Sequence, residues 1–247
     1  MNVTDVSLTR NDELRAELRE ECLKECGGAV ASIRQAMQGI ARQPTDIGKL
    51  LELYNQMHSL AGNAGVTRLL TIARVVGTFD ALLKQLVDKP DSTTQSVRRT
   101  MAQSLDLLCA LFEGDGQEVD LATTRTLAVD DQQIALRSVM HALEKANLKP
   151  QALSDPSAGF SVAQEWQYDL IVLDHSMPGM TGVELCAKLR ALPKYKKTPI
   201  LFVTSAGGFE HRAEICRSGG TDVIVKPFLA TELGLNALTL IIKSKIS

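Results

Sequence analysis

The 247-residue chain contains no apolar run near the roughly 20 residues that a membrane-spanning helix requires. Its opening segment, MNVTDVSLTRND, lacks the apolar core of a secretory signal. These absences predict a cytoplasmic protein that leaves any crossing of a membrane to a partner. A net charge of −2 provides no broad positive field, so neither nucleic acid nor an anionic membrane is an expected partner. The five cysteines, Cys22, Cys26, Cys109, Cys186 and Cys216, form no Cys-x-x-Cys pair, and the four histidines are dispersed. Cys22 and Cys26 share a helix face, but two thiols alone make a poor metal site, and reduced, structural cysteines are expected. No Gly-x-x-x-x-Gly-Lys phosphate loop and no kinase ATP-binding motif occurs, so the chain has no visible means of drawing phosphate from ATP. What is present is 45% hydrophobic and 23% charged residues, which supplies two small cores rather than a disordered or fibrous chain.

The two halves follow different periodicities. Residues 9–115 read as helices: Leu14, Leu18, Leu23, Val30, Ile33 and Met37 recur at three- and four-residue spacings, with a break expected at Gly27-Gly28. Asp46 or Thr45 is positioned to cap a third helix. A fourth is expected over 67–87, ended by Lys89-Pro90-Asp91-Ser92, and a fifth runs to Phe112 before Gly114-Asp115-Gly116. Amphipathic helices with short connections and no strand signal predict an antiparallel helical bundle of the four-helix kind. Residues 1–8 are read as a tail and 116–124 as a linker. From 125 to 247 short aliphatic runs alternate with helical stretches: Leu127-Ala128-Val129, a weaker run near Gln151-Ala152-Leu153, Leu170–Leu173, Ile200–Val203 and Val223-Ile224-Val225. Continuous apolarity implies strands buried on both faces, hence a doubly wound parallel sheet covered by helices.

Four of these strands end on residues that carry chemistry: Asp130-Asp131, Asp174, Thr204 and Lys226. Ligands of an open α/β sheet bind beyond the carboxyl ends of its strands, so residues remote in sequence are expected to meet at one rim. Three carboxylates repel one another unless a cation offsets their charge, and Mg²⁺ suits an all-oxygen site that must also accept a phosphoryl group. Asp174 is then the expected nucleophile, with Lys226 and Thr204 contacting phosphoryl oxygens.

Asp130-Asp131, the segment Asp174-His-Ser-Met-Pro-Gly-Met-Thr-Gly182, Thr204-Ser205 and Lys226-Pro227-Phe228 closely resemble response-regulator receiver domains, in order and in register over 125–247. The resemblance implies a flavodoxin-like five-stranded sheet of order 2-1-3-4-5 and phosphorylation on Asp174. It also implies Mg²⁺ held by Asp131, Asp174 and the Ser176 backbone carbonyl, Asp130 acting mainly through water, and a cis Lys226–Pro227 bond. One position departs. Many receivers place Tyr or Phe three residues before the strand-five lysine, as a switch that follows phosphorylation, and here that residue is Val223.

In the helical half, His58-Ser-Leu-Ala-Gly62-Asn-Ala-Gly65 places His58 at the edge of the apolar arc, with the two glycines one and two turns onward. Glycine inside a helix costs about 1 kcal/mol against alanine, and a bare strip beside an imidazole would let a partner surface approach its ring. The segment resembles the histidine phosphotransfer (HPt) motif, which implies His58 as a second phosphoacceptor. Where that motif carries a lysine, this chain has Ala61, and Arg68 is a candidate substitute cation. His141, His175 and His211 read as surface or packing residues. The reading favoured is a non-enzymatic relay protein that exchanges phosphoryl groups between His58 and Asp174, served by a histidine kinase and a further receiver or HPt protein. Two alternatives stand beside it: the regulatory part of a longer enzyme such as a diguanylate cyclase, and a receiver joined to a docking bundle that carries no phosphate.

Overall fold

The computed structural model describes Leu23 and residues 28–66, 69–114, 116–205 and 208–246. The expected first helix over 9–26 lies outside the described residues apart from Leu23, as do Gly27, Cys22, Cys26 and Arg68. The chain divides into two compact units, Met1–Glu118 and Val119–Ser247.

The first unit is helical. Helix α1 is described over residues 28–42, followed by α2 (Ile47–Val66), α3 (Leu70–Asp88) and α4 (Gln95–Glu113). Asp46 supplies the cap expected at the start of α2, its carboxylate accepting the Lys49 N–H at 3.2 Å. On α2 the buried residues are Leu50, Leu53, Met57, Leu60 and Ala64, spaced by three and four, so one stripe faces the interior. Ile72, Val75, Val76, Phe79, Leu82, Leu83 and Leu86 do the same on α3, and Met101, Leu105 and Leu108 on α4. Thr94 caps α4 by accepting the Val97 N–H. The Glu118 carboxylate accepts from both the N–H and the hydroxyl of Thr71, at 3.0 and 2.8 Å, and so ties the chain beyond α4 back to the first turn of α3.

The second unit alternates strand and helix: β1 (Arg125–Val129), α5 (Gln133–Lys145), β2 (Lys149–Leu153), α6 (Pro156–Glu165), β3 (Leu170–Leu173), α7 (Gly182–Ala191), β4 (Ile200–Thr204), α8 (Phe209–Ser218), β5 (Asp222–Val225) and α9 (Ala230–Ile246). All the strands pair in parallel, as the aliphatic runs predict, and in the order β2-β1-β3-β4-β5 that the receiver resemblance implies. Strands β3 and β4 are buried throughout, whereas β2, an edge strand that accommodates Pro150, is only partly covered. The order reverses between β1 and β3, so a crevice opens beyond their carboxyl ends. The described cysteines, Cys109, Cys186 and Cys216, are free thiols. No described helix is long and apolar enough to cross a membrane.

Candidate functional site

Strands β1, β3, β4 and β5 deliver the predicted residues to that crevice. Asp130 follows β1 and is 3% exposed, Asp174 follows β3 and is 6% exposed, and Thr204, which ends β4, is buried as well. Lys226 follows β5, and its ammonium donates to Asp130 Oδ2 and to Asp174 Oδ1, both at 2.7 Å. The remaining oxygen of each carboxylate accepts a backbone N–H: Asp130 Oδ1 from Gln132 at 2.9 Å, and Asp174 Oδ2 from Ser176 at 2.7 Å. Asp174 is therefore held on two sides by charge-assisted bonds, which fixes the direction of its carboxylate. The Lys226–Pro227 bond is cis.

Backbone packing explains why the loop after Asp174 carries glycine. Gly182 opens α7, its N–H donates to the His175 carbonyl at 3.0 Å, and a Cβ on it would lie 1.9 Å from the Asp174 carbonyl oxygen. No residue larger than glycine fits without moving the backbone at Asp174. Gly179 in the same loop has φ +79°, a left-handed turn position. Thr181 and Glu184 form a reciprocal capping box at the start of α7.

The electrostatics of the rim are opposed. Burial pushes the Asp130 carboxyl above its ordinary range and is reinforced by the Asp174 charge, while Lys226 and the Gln132 N–H pull the other way without prevailing. Burial also works to lower Lys226, but its hydrogen bonds to Asp130 and Asp174 and their charges together outweigh this and hold the ammonium above its usual value. Lys226 is thus a firmly protonated cation between two acids.

Asp131 is half-buried, and its Oδ1 is buried with no hydrogen-bond partner. An uncompensated carboxylate oxygen at this position suits a hard cation. Among the described residues no three His, Cys, Asp or Glu side chains converge as a ready-made ligand set, because Asp130 and Asp174 converge on Lys226 instead. Mg²⁺ needs few protein ligands, since it usually keeps waters and binds through one or two carboxylates, so the donor chemistry at the rim fits it. Val223, at the position where many receivers carry Tyr or Phe, is a buried β5 residue.

The helical unit holds a second, much sparser constellation. His58 is one residue past the buried Met57, and its side chain is 67% exposed. Its Nδ1 lies 3.2 Å from Asp80 Oδ1 on α3, and its ring stacks on Tyr54 with centroids 5.5 Å apart. A carboxylate only accepts, so in the neutral ring this contact favours the tautomer with the proton on Nδ1 and the lone pair on Nε2. Gly62 and Gly65 have open space around them, as does Gly77 on α3. Asp80 was not anticipated from sequence. The signal would have been the antiparallel pairing of α2 with α3, which sets residues 22 apart side by side.

Two other histidines, read as surface or packing residues, pack against each other. His175 and His211 meet edge-on with ring centroids 5.3 Å apart, and His175 Nε2 lies 3.3 Å from Glu214 Oε2 on α8.

Comparison with known proteins places this geometry. Residues 126–237 match the response regulator receiver domain family. The cyclic di-GMP phosphodiesterase response regulator RpfG of Xanthomonas campestris pv. campestris is 36% identical over 107 residues, 42% of this chain and 28% of RpfG. The transcriptional regulatory protein ResD of Bacillus subtilis is 34% identical over 118 residues, 48% of each chain. The chain thus matches about a quarter to a half of the length of these relatives. The solved chemotaxis protein CheY4 of Vibrio cholerae covers 45% of this chain and 93% of its own, at 35% identity and a TM-score of 0.44. The C-terminal half of the chain carries a receiver domain of the two-component response-regulator kind.

Proposed function

We propose that the chain accepts and passes phosphoryl groups in a two-component relay, with Asp174 the acceptor in the receiver and His58 the acceptor in an HPt-like bundle. The observation that carries the reading is the buried Asp174 carboxylate held between the Lys226 ammonium and the Ser176 N–H. One Asp174 oxygen attacks the phosphorus of a phosphohistidine or a small acyl phosphate. An O–P bond forms, the donor's bond to phosphorus breaks, and the leaving group departs with its electron pair, imidazole taking up a proton. Lys226 transfers its hydrogen bonding to the phosphoryl oxygens, and the Thr204 hydroxyl is placed to donate to one of them. Asp130, Asp131, Asp174 and the Ser176 carbonyl would hold Mg²⁺, which supplies offsetting positive charge.

His58 Nε2 is the corresponding nucleophile. Asp80 keeps the proton on Nδ1 and stabilises the positive charge that the ring gains as the P–N bond forms, while Tyr54 restrains the ring. The partners on this reading are a histidine kinase, since no ATP-binding motif occurs in the sequence, and a further receiver or HPt protein.

Incubation of wild type, Asp174→Asn and His58→Gln with Mg²⁺ and radiolabelled acetyl phosphate tests both halves. Base-labile label absent from Asp174→Asn and acid-labile label absent from His58→Gln are expected. Unchanged labelling of Asp174→Asn would overturn the receiver assignment. Label confined to Asp174, even with a phosphorylated partner supplied, would reduce the bundle to a docking module, the reading that Ala61 favours. The name of RpfG joins a response regulator to a phosphodiesterase, which keeps a role as the regulatory part of a longer enzyme as the second reading.

A further inference from the structure

We propose that His175 is the positioning residue through which the state of Asp174 reaches helix α8, in place of the aromatic side chain that β5 lacks at Val223; this rests on the reading of Asp174 as phosphoacceptor. The backbone of His175 has little freedom. Ser176, the next residue, donates its N–H to Asp174 Oδ2 at 2.7 Å, and the His175 carbonyl accepts the Gly182 N–H at 3.0 Å. Gly182 in turn presses on the Asp174 carbonyl so closely that it has no room for a Cβ. The side chain runs from this anchored loop to α8. Its Nε2 faces Glu214, its ring meets the edge of His211, and its Nδ1 lies 3.1 Å from Ser176 Oγ. Only 13% of the His175 side chain is exposed, so the imidazole is wedged between the loop and the helix. His211 and Glu214 are three residues apart on α8 and therefore hold it from one face.

Phosphorylation changes the anchor of this wedge. A carboxylate oxygen that becomes bonded to phosphorus loses most of its charge, and the bonds from Lys226 and the Ser176 N–H must be shared anew between the remaining Asp174 oxygen and the phosphoryl oxygens. The 174–176 backbone is the segment bonded to Oδ2, so it moves first, and a packed side chain passes such a shift to its neighbour rather than absorbing it. Val223 is aliphatic and buried, with no polar group to follow the change.

Amide-resonance NMR on the full chain, with beryllium trifluoride and Mg²⁺ as the phosphoryl mimic, tests this. In wild type the mimic is expected to shift resonances of β3 and of α8 around Glu210–Arg217. Glu214→Gln and His175→Ala are expected to keep the β3 response while losing roughly half or more of the α8 shift, with the thermal midpoint of Glu214→Gln unchanged. A full α8 shift in both variants overturns the proposal, and so does an α8 that stays still in wild type. Glu214 is a half-exposed α8 residue outside the phosphoacceptor site, so its variant decides the matter alone if His175→Ala fails to fold. A wild type that does not bind the mimic at all is a different result, the failure of the receiver reading itself.

Discussion

Asp174 and His58, the two proposed phosphoacceptors, both stand at the edge of a packed core, but their surroundings are built to very different degrees. Asp174 is 6% exposed, fixed by two hydrogen bonds, and shares the Lys226 ammonium with the Asp130 carboxylate. The His58 side chain is 67% exposed and has one oriented partner, Asp80, and one stacked ring, Tyr54, with open glycine backbone around it. In the proposed relay the receiver half supplies a lysine and acids suited to a transferring phosphoryl group, whereas the described contacts of His58 are with Asp80 and Tyr54 and bring no cation. On the relay reading, His58 borrows its charge-neutralising groups from the crevice of whichever receiver docks on it, and the glycines permit that approach. The largest expected effect follows. Acetyl phosphate alone labels Asp174 and, in Asp174→Asn, leaves His58 unlabelled until a separately phosphorylated receiver is added. Direct labelling of His58 by acetyl phosphate in that variant would break the comparison.

Glycine plays opposite parts in the two halves, and this is the next sharpest contrast. At Gly182 an added Cβ meets a backbone oxygen at 1.9 Å, so Gly182→Ala is expected to cost the receiver about 3 kcal/mol or more. At Gly62 and Gly65 an added Cβ meets nothing, and both lie within α2, so alanine there is expected to stabilise the helical unit by about 0.5–1 kcal/mol each. Trp166 is the sole tryptophan, so its fluorescence during urea unfolding reports the receiver half. Circular dichroism follows the helices. A Gly182→Ala protein with an unshifted Trp166 transition would show that the loop yields. If the bare strip exists for a partner, Gly62→Ala should also slow transfer to His58 despite the gain in stability.

The same contrast governs what was readable in the sequence. The receiver was legible because its site is written at strand ends, where a continuous apolar run stops and a charged or hydroxyl residue follows. Topology then brings Asp130, Asp174, Thr204 and Lys226 together whatever the helices do in detail. The contacts of His58 were not legible, because Asp80 lies on another helix and its approach depends on the rotation and pairing of α2 and α3, which periodicity leaves open. For the same reason His175 and His211 read only as surface or packing residues, and Glu214 carried no signal. Their meeting is a matter of how α8 sits against the β3–α7 loop, and no spacing encodes it. The Asp130–Lys226–Asp174 pairing was also missed. The rim was read as acids awaiting a divalent cation, while the lysine already satisfies two of them.

Asp80 offers a smaller, separable effect. Asp80→Asn keeps a side chain of the same shape beside His58 but removes the charge that offsets the developing imidazolium. Transfer to His58 from a phosphorylated receiver is expected to slow roughly tenfold, about 1.4 kcal/mol, with helical stability little changed. The Nδ1–H tautomer of His58, read by nitrogen NMR, should become less populated in step. A slower transfer with an unaltered tautomer would assign Asp80 to docking rather than to the ring.

The smallest effect separates function from stability within the receiver. Burial raises the folded-state pKa of Asp130 above its ordinary 3.8, so between those two values the native chain binds more protons than the unfolded chain. Stability contributed at this residue therefore falls as pH rises through that window, and the ionised carboxylate is a cost at neutral pH. Asp130→Asn retains an oxygen to accept the Gln132 N–H and leaves Lys226 paired with Asp174. Without Mg²⁺ it is expected to be more stable than wild type by ~1 kcal/mol near neutral pH, with the difference closing toward pH 3. Lys226 does not confuse the test, because its raised pKa contributes stability that is lost only in the alkaline range. Added Mg²⁺ should reverse the order, since wild type gains binding free energy that the amide variant largely forfeits. Trp166 unfolding midpoints across pH, with and without Mg²⁺, measure all of this. A wild type more stable than Asp130→Asn at neutral pH in the absence of Mg²⁺ would mean that Lys226 and the Gln132 N–H outweigh burial, and that this acid contributes to the fold as well as to the site.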